Sequence, residues 1–405
     1  MKKRYQAALV AAALLSCQRA QGGTTSTYSV TVPANANQNT TLTRWYKLYV
    51  PSTGTGPAPL VILLHGGNQS YDRVINPSWN TPTQVWAVVN FNYWPSDPNN
   101  LSIADKFNVL IAVPNGIDDT STVTSGTNAG GARYGSSQHW NDCSGFNRGF
   151  APDANGDPQY TVDDVAFIST MIADIKTNRG VTVDPKRIFV AGASNGGNMA
   201  LRLARELSGT IAAVGVTLAG DAAGPYASPT PDPLAVSDTC TNQNSQATPV
   251  PMWMYKGVAD SFILYNGGCN NPSANKADGC WLPYEPGEPG NLRSNNVTTI
   301  SRVLARYGLA SAPTASGPIF YNMNNGSDAG GQNSTVSCTY HYGSGTVGTL
   351  SRSDVEDCRA TFAGHVDPSI TVHLSALTQG VLGYQNYDIE AAVEQWNFFQ
   401  NHPLP

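Results

Sequence analysis

Charge is scarce in this chain. Asp, Glu, Lys and Arg make up 13% of its 405 residues, and no run of like charge is long enough to suggest a tail. With a net charge of −5 there is no basic surface to attract nucleic acid, and no nucleic-acid partner is expected. Long hydrophobic runs are also missing. The apolar stretch near the N-terminus, Ala7 to Leu15, is too short to span a bilayer. No CxxC pair and no cysteine–histidine spacing of a zinc site occurs, so neither a metal nor another cofactor is expected. No internal repeat and no linker divides the chain, which predicts one large domain.

What is present points outward from the cell. Polarity comes from Asn, Thr, Ser and Gly, and 27 prolines suit a loop-rich exported protein. "MKKRYQAALVAAALLSC" has a basic start at Lys2, Lys3 and Arg4, followed by a short apolar core, the pattern of a signal peptide. Leu14-Leu15-Ser16-Cys17 looks like a bacterial lipobox, in which Cys17 is lipidated; cleavage near Ala20-Gln21-Gly22 is the alternative. The expected organisation is a lipoprotein-type signal at 1–17, a flexible tether at 18–28 and a catalytic domain at 29–405. Membrane contact is expected only through the lipid. The other six cysteines, in an exported chain, predict disulfides. Cys269 with Cys280 and Cys338 with Cys358 would close short loops, leaving Cys143 with Cys240 by elimination.

"PLVILLH" (59–65), "NVLIAVP" (108–114), "RIFVAG" (187–192), "IAAVGVTLAG" (211–220) and "VPMWMYKG" (250–257) are near-continuous apolar runs, the form taken by strands covered on both faces. Helical stripes fall between them. Val165, Ile168, Ile172 and Ile175 form one, the segment after the serine discussed below forms a second, and Ile389, Val393, Trp396 and Phe399 form a third. The alternation predicts an α/β fold: a mostly parallel central sheet, helices on both faces and long loop insertions.

The segment "RIFVAGASNGGNMALRLA" runs from an apolar strand through Gly192-Ala193-Ser194-Asn195-Gly196 into a helix. That is the setting of a nucleophile elbow. The serine sits on a strained turn, and side chains two residues to either side would collide, hence the glycines. "LHGGN" ends an early strand, and its glycines would let the Gly67–Asn68 backbone join the Asn195 amide as an oxyanion hole. His65 precedes the serine and is expected to brace this loop. In the triad order Ser, acid, His, the acid is Asp260, in the loop after "VPMWMYKG".

Together, "LHGG", "HWNDCSG", "VDDVAFI", "VDPKRIFVAGASNGGNMALRLA", "KGVADSFILYNGG" and "DIEAAVEQWNFFQNHP" resemble the exported poly(3-hydroxybutyrate) depolymerase and feruloyl esterase family of α/β-hydrolases. The resemblance covers roughly residues 43–402 and is most specific over 162–204. It implies a Ser-His-Asp esterase acting on ester substrates, with Ser194 and Asp260 in the nucleophile and acid positions. Two departures stand out. Lys256-Gly257 replaces the family's His-Gly, and its closing histidine motif has no clean counterpart. The base is then sought among the histidines that follow Ser194. His365, in "CRATFAGHVDP", follows a short strand and a glycine and is the expected base. His373, in "ITVHLSAL", is its rival; His341 falls one strand early, and His402 reads as a chain end.

Substrate readings stay open at this point. Polyhydroxybutyrate-like polyesters or their oligomers, and cell-wall feruloyl esters, suit the same machinery; a decayed, purely binding lipoprotein is the non-enzymatic alternative. Trp281 and Tyr284, after Cys280, are candidates to wall an acyl pocket.

Overall fold

The computed structural model describes residues 23–75, 102–118, 138–142, 149–152, 158–220, 248–260, 300–309, 319–321, 335–368 and 384–405, apart from single positions within them. The chain begins with strands β1 (Thr24–Val32), β2 (Leu42–Val50) and β3 (Ala58–Leu64). Short helices α1 (Tyr71–Ile75) and α2 (Ile103–Phe107) lead to β4 (Leu110–Pro114). Two small antiparallel pairs follow, β5 (Ile117–Asp118) with β6 (Gln138–His139) and β7 (Gly149–Pro152) with β8 (Pro158–Thr161). Then come α3 (Asp164–Asn178), β9 (Val183–Ala193), α4 (Asn195–Glu206), β10 (Ala213–Thr217) and β11 (Met252–Gly257). The last elements are β12 (Ile319–Tyr321), β13 (Val336–His341), β14 (Val355–Ala360) and α5 (Ala391–Gln400).

Ten strands form one sheet in the order β1-β2-β4-β3-β9-β10-β11-β14-β13-β12. The interior, from β4 through β3, β9, β10 and β11 to β14, is parallel. The margins are antiparallel. Every residue of β3, β4, β10 and β11 is buried, as expected of strands covered on both faces. By contrast β2 alternates between buried and half-buried residues, because only one side of that margin is covered. The expected parallel α/β architecture is what the chain adopts.

Successive residues of β3 serve opposite cores. Leu60, Ile62 and Leu64 pack with Phe167, Ile168 and Met171 of α3 and Met199 and Leu203 of α4. Val61 and Leu63 face the other way, toward Phe189, Trp396 and Phe399, with the Phe189 and Phe399 rings stacked 4.8 Å apart. Helix α3 is entered through Asp163, whose side chain accepts from the Ala166 N–H. Its next residue, Asp164, turns inward to a buried ion pair with Arg44 at 2.6 Å.

Three expectations need correction. Residues 24–28, read as tether, belong to β1, paired residue by residue with Tyr46–Val50; the pairing partner is distant in sequence, so polar composition misled. Val165 and Val393 are only half-buried. Phe167 and Met171 of α3, and Ala392 and Phe398 of α5, fill the buried faces with the other expected residues. The final helix starts at Ala391, so Ile389, expected on its stripe, lies ahead of it; Asp388 just before it is held in a local turn by the Asn386 side chain.

Cys338 and Cys358 face each other across β13 and β14 and are disulfide-bonded, as expected for this pair. Cys17, Cys143, Cys240, Cys269 and Cys280 lie outside the described residues. The bridge closes a loop of 20 residues, so the Cys338→Ala/Cys358→Ala variant should lose about 3 kcal/mol of stability in urea titrations. Equal midpoints and slopes for variant and wild type would show that the bridge adds nothing.

Candidate active site

The elbow is built by close backbone approach. Strand β9 ends at Ala193, and Ser194 takes φ 56°, ψ −123° before α4 begins. A non-glycine residue in this region carries strain of about 1–3 kcal/mol. A Cβ on Gly192 would lie 2.3 Å from the Gly196 carbonyl oxygen, and one on Gly196 would lie 2.4 Å from that of Leu64. Neither position accepts a side chain. The Ser194 N–H donates to the Thr217 carbonyl at 3.0 Å, tying the turn to β10. Serine is a favoured helix cap, yet the Ser194 hydroxyl makes no capping bond.

Beside the elbow, the space a Gly67 Cβ would take lies 3.7 Å from the Asn195 Cβ and 3.0 Å from His139 Cδ2. Two of the three expected oxyanion residues are therefore neighbours; Asn68 lies outside the described residues. His65 braces this loop. Its Nε2 accepts from Gly116 N–H at 2.8 Å, so Nδ1 carries the proton donated to the Gly66 carbonyl, also at 2.8 Å. The Trp140 indole N–H donates to the His65 carbonyl at 2.8 Å.

A buried polar strap, missed in the sequence, locks the first turn of α4. Asp142 Oδ2 accepts from the side-chain amides of Asn195 and Asn198, both at 2.8 Å. Asn195 Oδ1 accepts from the Trp140 N–H at 2.7 Å. Arg202 in α4 donates to the Asn141 carbonyl at 2.6 Å. The "HWND" segment offered the clue: polar residues flanking a tryptophan just ahead of the α3 signal.

Asp260 and His365 meet across 105 positions of sequence, His365 Nδ1 lying 2.9 Å from Asp260 Oδ2. Both side chains are buried. Lys256 Nζ donates to the same oxygen at 3.1 Å. Their meeting depends on Gly257, whose Cβ would fall 2.4 Å from both the Ala363 and Gly364 carbonyl oxygens. The Ala259 N–H donates to Ala363, and the Val258 N–H to Ala360, each at 2.9 Å. The histidine loop therefore lies directly on the acid's turn.

Gly67, Ser194, Asp260 and His365 follow the carboxyl ends of β3, β9, β11 and β14, the edge where open α/β sheets bind ligands. His341 does not belong with them: it pairs with Val355 at the opposite end of β14. His402, read as a chain end, is buried there too. Its Nε2 lies 3.0 Å from Asp354 Oδ2 and its Nδ1 2.8 Å from the Phe398 carbonyl. His373, Trp281 and Tyr284 lie outside the described residues. Among the described residues, one trio has metal-ligand spacing, Cys338, Glu356 and Cys358, and its cysteines are tied up in the disulfide.

Parallel sheet order, a glycine-flanked serine turn after β9 and a buried Asp–His pair on the carboxyl edge define an α/β-hydrolase fold. No family model matches the chain. Feruloyl esterase B of Piromyces equi is 33% identical over 106 residues, which is 26% of this chain and 17% of that protein. The matched stretch is thus about a sixth of that relative's length. Among solved structures, an acetyl xylan esterase from Aspergillus awamori overlaps 84% of this chain and 94% of its own, with 13% identity and a TM-score of 0.41. An S-formylglutathione hydrolase from Agrobacterium tumefaciens overlaps 60% and 78%, with 15% identity and a TM-score of 0.36.

Two residues past His365, Asp367 is buried and neither carboxyl oxygen has a hydrogen-bond partner in good geometry. Burial foremost pushes its pKa up to about 7; the nearby Thr217 hydroxyl opposes this and the Glu390 charge adds to it. The folded protein keeps a proton that the unfolded chain releases from about pH 4 upward. Stability should therefore fall as pH rises from about 4 to about 7. Asp367→Asn should remove this slope and raise the urea midpoint at about pH 8. An unchanged midpoint there would mean that burial does not raise the Asp367 pKa.

Proposed function

We propose that this chain is a serine carboxylesterase in which Ser194 is the nucleophile, His365 the general base and Asp260 its orienting acid. The observation that carries the reading is the buried Asp260–His365 hydrogen bond of 2.9 Å on the same sheet edge as the strained Ser194. With Nδ1–H donated to Asp260, Nε2 is the nitrogen left to take the Ser194 proton. Ser194 Oγ then attacks the ester carbonyl. The Asn195 N–H at the start of α4, with the Gly67–Asn68 backbone, receives the oxyanion. Collapse releases the alcohol, protonated by His365, and leaves an acyl-enzyme. Water, activated by the same imidazole, frees the acid and restores Ser194.

The substrate class follows the same chemistry in two versions. Polyhydroxybutyrate-like polyesters or their oligomers present a 3-hydroxyacyl ester; cell-wall feruloyl esters present a hydroxycinnamoyl one. The 106-residue match to a feruloyl esterase favours the second. Ser194→Ala and His365→Ala should each cut turnover of p-nitrophenyl acetate by at least about 10³-fold. Methyl ferulate, 3-hydroxybutyrate oligomers and a polyester film, run side by side, separate the substrate readings. A wild type inert on all of them would point to the binding-lipoprotein alternative.

Export belongs to the same proposal, on the strength of the basic and apolar N-terminus with Cys17. Wild type should partition into the detergent phase and Cys17→Ala should not. Mature protein found only in the medium, beginning near Gly22, would favour ordinary signal cleavage.

A further inference from the structure

The residue that departs from the resembled family is also the third member of the acid–base cluster. Lys256 is the penultimate residue of β11. A turn closed by the Asp260 N–H onto the Gly257 carbonyl, at 3.3 Å, folds the acid back over the strand end. The Lys256 ammonium then reaches Asp260 Oδ2 at 3.1 Å with its side chain 3% exposed. That oxygen already faces His365 Nδ1 at 2.9 Å. Two donors on one carboxylate oxygen, Lys256 Nζ and His365 Nδ1, lie no more than about 6 Å apart. Burying an ammonium is costly, and apolar residues of similar size stabilise a fold as well or better. Its place on the catalytic acid calls for a chemical reason.

We propose that Lys256 is a positioning residue that sets the acid limit of the esterase; this rests on the serine-esterase reading above. Its ammonium fixes which Asp260 oxygen faces the imidazole. The same charge opposes a second positive charge on His365. The imidazolium formed during catalysis is therefore less stabilised beside Lys256 than beside Asp260 alone, and the base is weaker in turnover.

Other charged groups around the pair come from each neighbouring element. Arg359 of β14, opposite Lys256 in register, is ion-paired with Asp357 at 2.6 Å. From the histidine loop itself comes Asp367, and Glu390, just ahead of α5, lies close enough to raise its pKa. Among the described residues, Lys256 is a cation in direct contact with Asp260, at 3.1 Å, and a charge at that distance acts on the carboxylate more strongly than the others named.

The test is the pH dependence of Ser194 phosphonylation by a fluorophosphonate probe, and of kcat/KM on p-nitrophenyl acetate, from about pH 4 to about pH 8. Lys256→Met removes charge and hydrogen bond; Lys256→Gln removes the charge and keeps a donor; Lys256→Arg keeps both. The Met and Gln variants should move the acid limb upward by at least about one pH unit, about a tenfold loss of rate at a fixed pH on that limb. The Arg variant should stay with wild type. Folding is checked by thermal melts, and Gln, which retains a polar contact for Asp260, serves if Met fails to fold. An unmoved limb in a folded neutral variant, or equal shifts in Arg and Gln, overturns the proposal while leaving the esterase reading intact. A wild type that is never labelled at Ser194 removes both together.

Discussion

Strands β3 and β9 lie side by side, and at their carboxyl ends the chain has no room for side chains. Gly196, on the first turn of α4, sits where a Cβ would meet the Leu64 and His65 carbonyls at 2.4 and 2.5 Å. That approach forces Ser194 into its positive-φ conformation and aims α4 back across the sheet. It also brings the loop after β3 against the residue following the serine, the condition for a nucleophile and an oxyanion site to share one substrate carbonyl. The strap at 138–142 exists to hold this junction. One carboxylate, Asp142, gathers Asn195 and Asn198, and Trp140 spans from Asn195 to His65.

The second half of the site rests on an equivalent backbone contact. Gly257 lets the loop carrying His365 press onto the turn carrying Asp260, and main-chain hydrogen bonds from Val258 and Ala259 fix the spacing. In each half a glycine permits one backbone to approach another, and the functional side chains follow from that geometry. Alanine at Gly257 would push His365 away from Asp260 without touching either residue.

Features governed by local pattern were legible in the sequence. Continuous apolar strands, the glycine-flanked serine and the Cys338–Cys358 pairing each depend on neighbours along the chain or on a strong steric rule. The order serine, acid, histidine turned the search for a base away from His65. What stayed hidden depends on distant partners. The β1 extension needs residues 46–50, the strap needs α4, and the burial of His402 needs Asp354. Polar residues give no periodic signal when their partners are far away, so "NHP" read as a chain end.

Among the described residues, two buried Asp–His pairs occupy opposite ends of the sheet, in different surroundings. Asp354 is saturated: it accepts from Ser351 N–H, Ser351 Oγ, Gly343 N–H and Tyr340 Oη, and faces His402. Burial would raise its pKa, but these bonds hold it low. His402 is engaged at both ring nitrogens, by Asp354 and the Phe398 carbonyl. A ring bonded on both sides within the protein has no nitrogen to offer a substrate, so this pair fastens the C-terminal segment to the sheet. Asp260 and His365 stand instead where strands point their carboxyl ends and glycines have cleared the approach. One Asp–His pairing fastens the chain end, and the same pairing stands on the edge of the sheet where this architecture binds ligands.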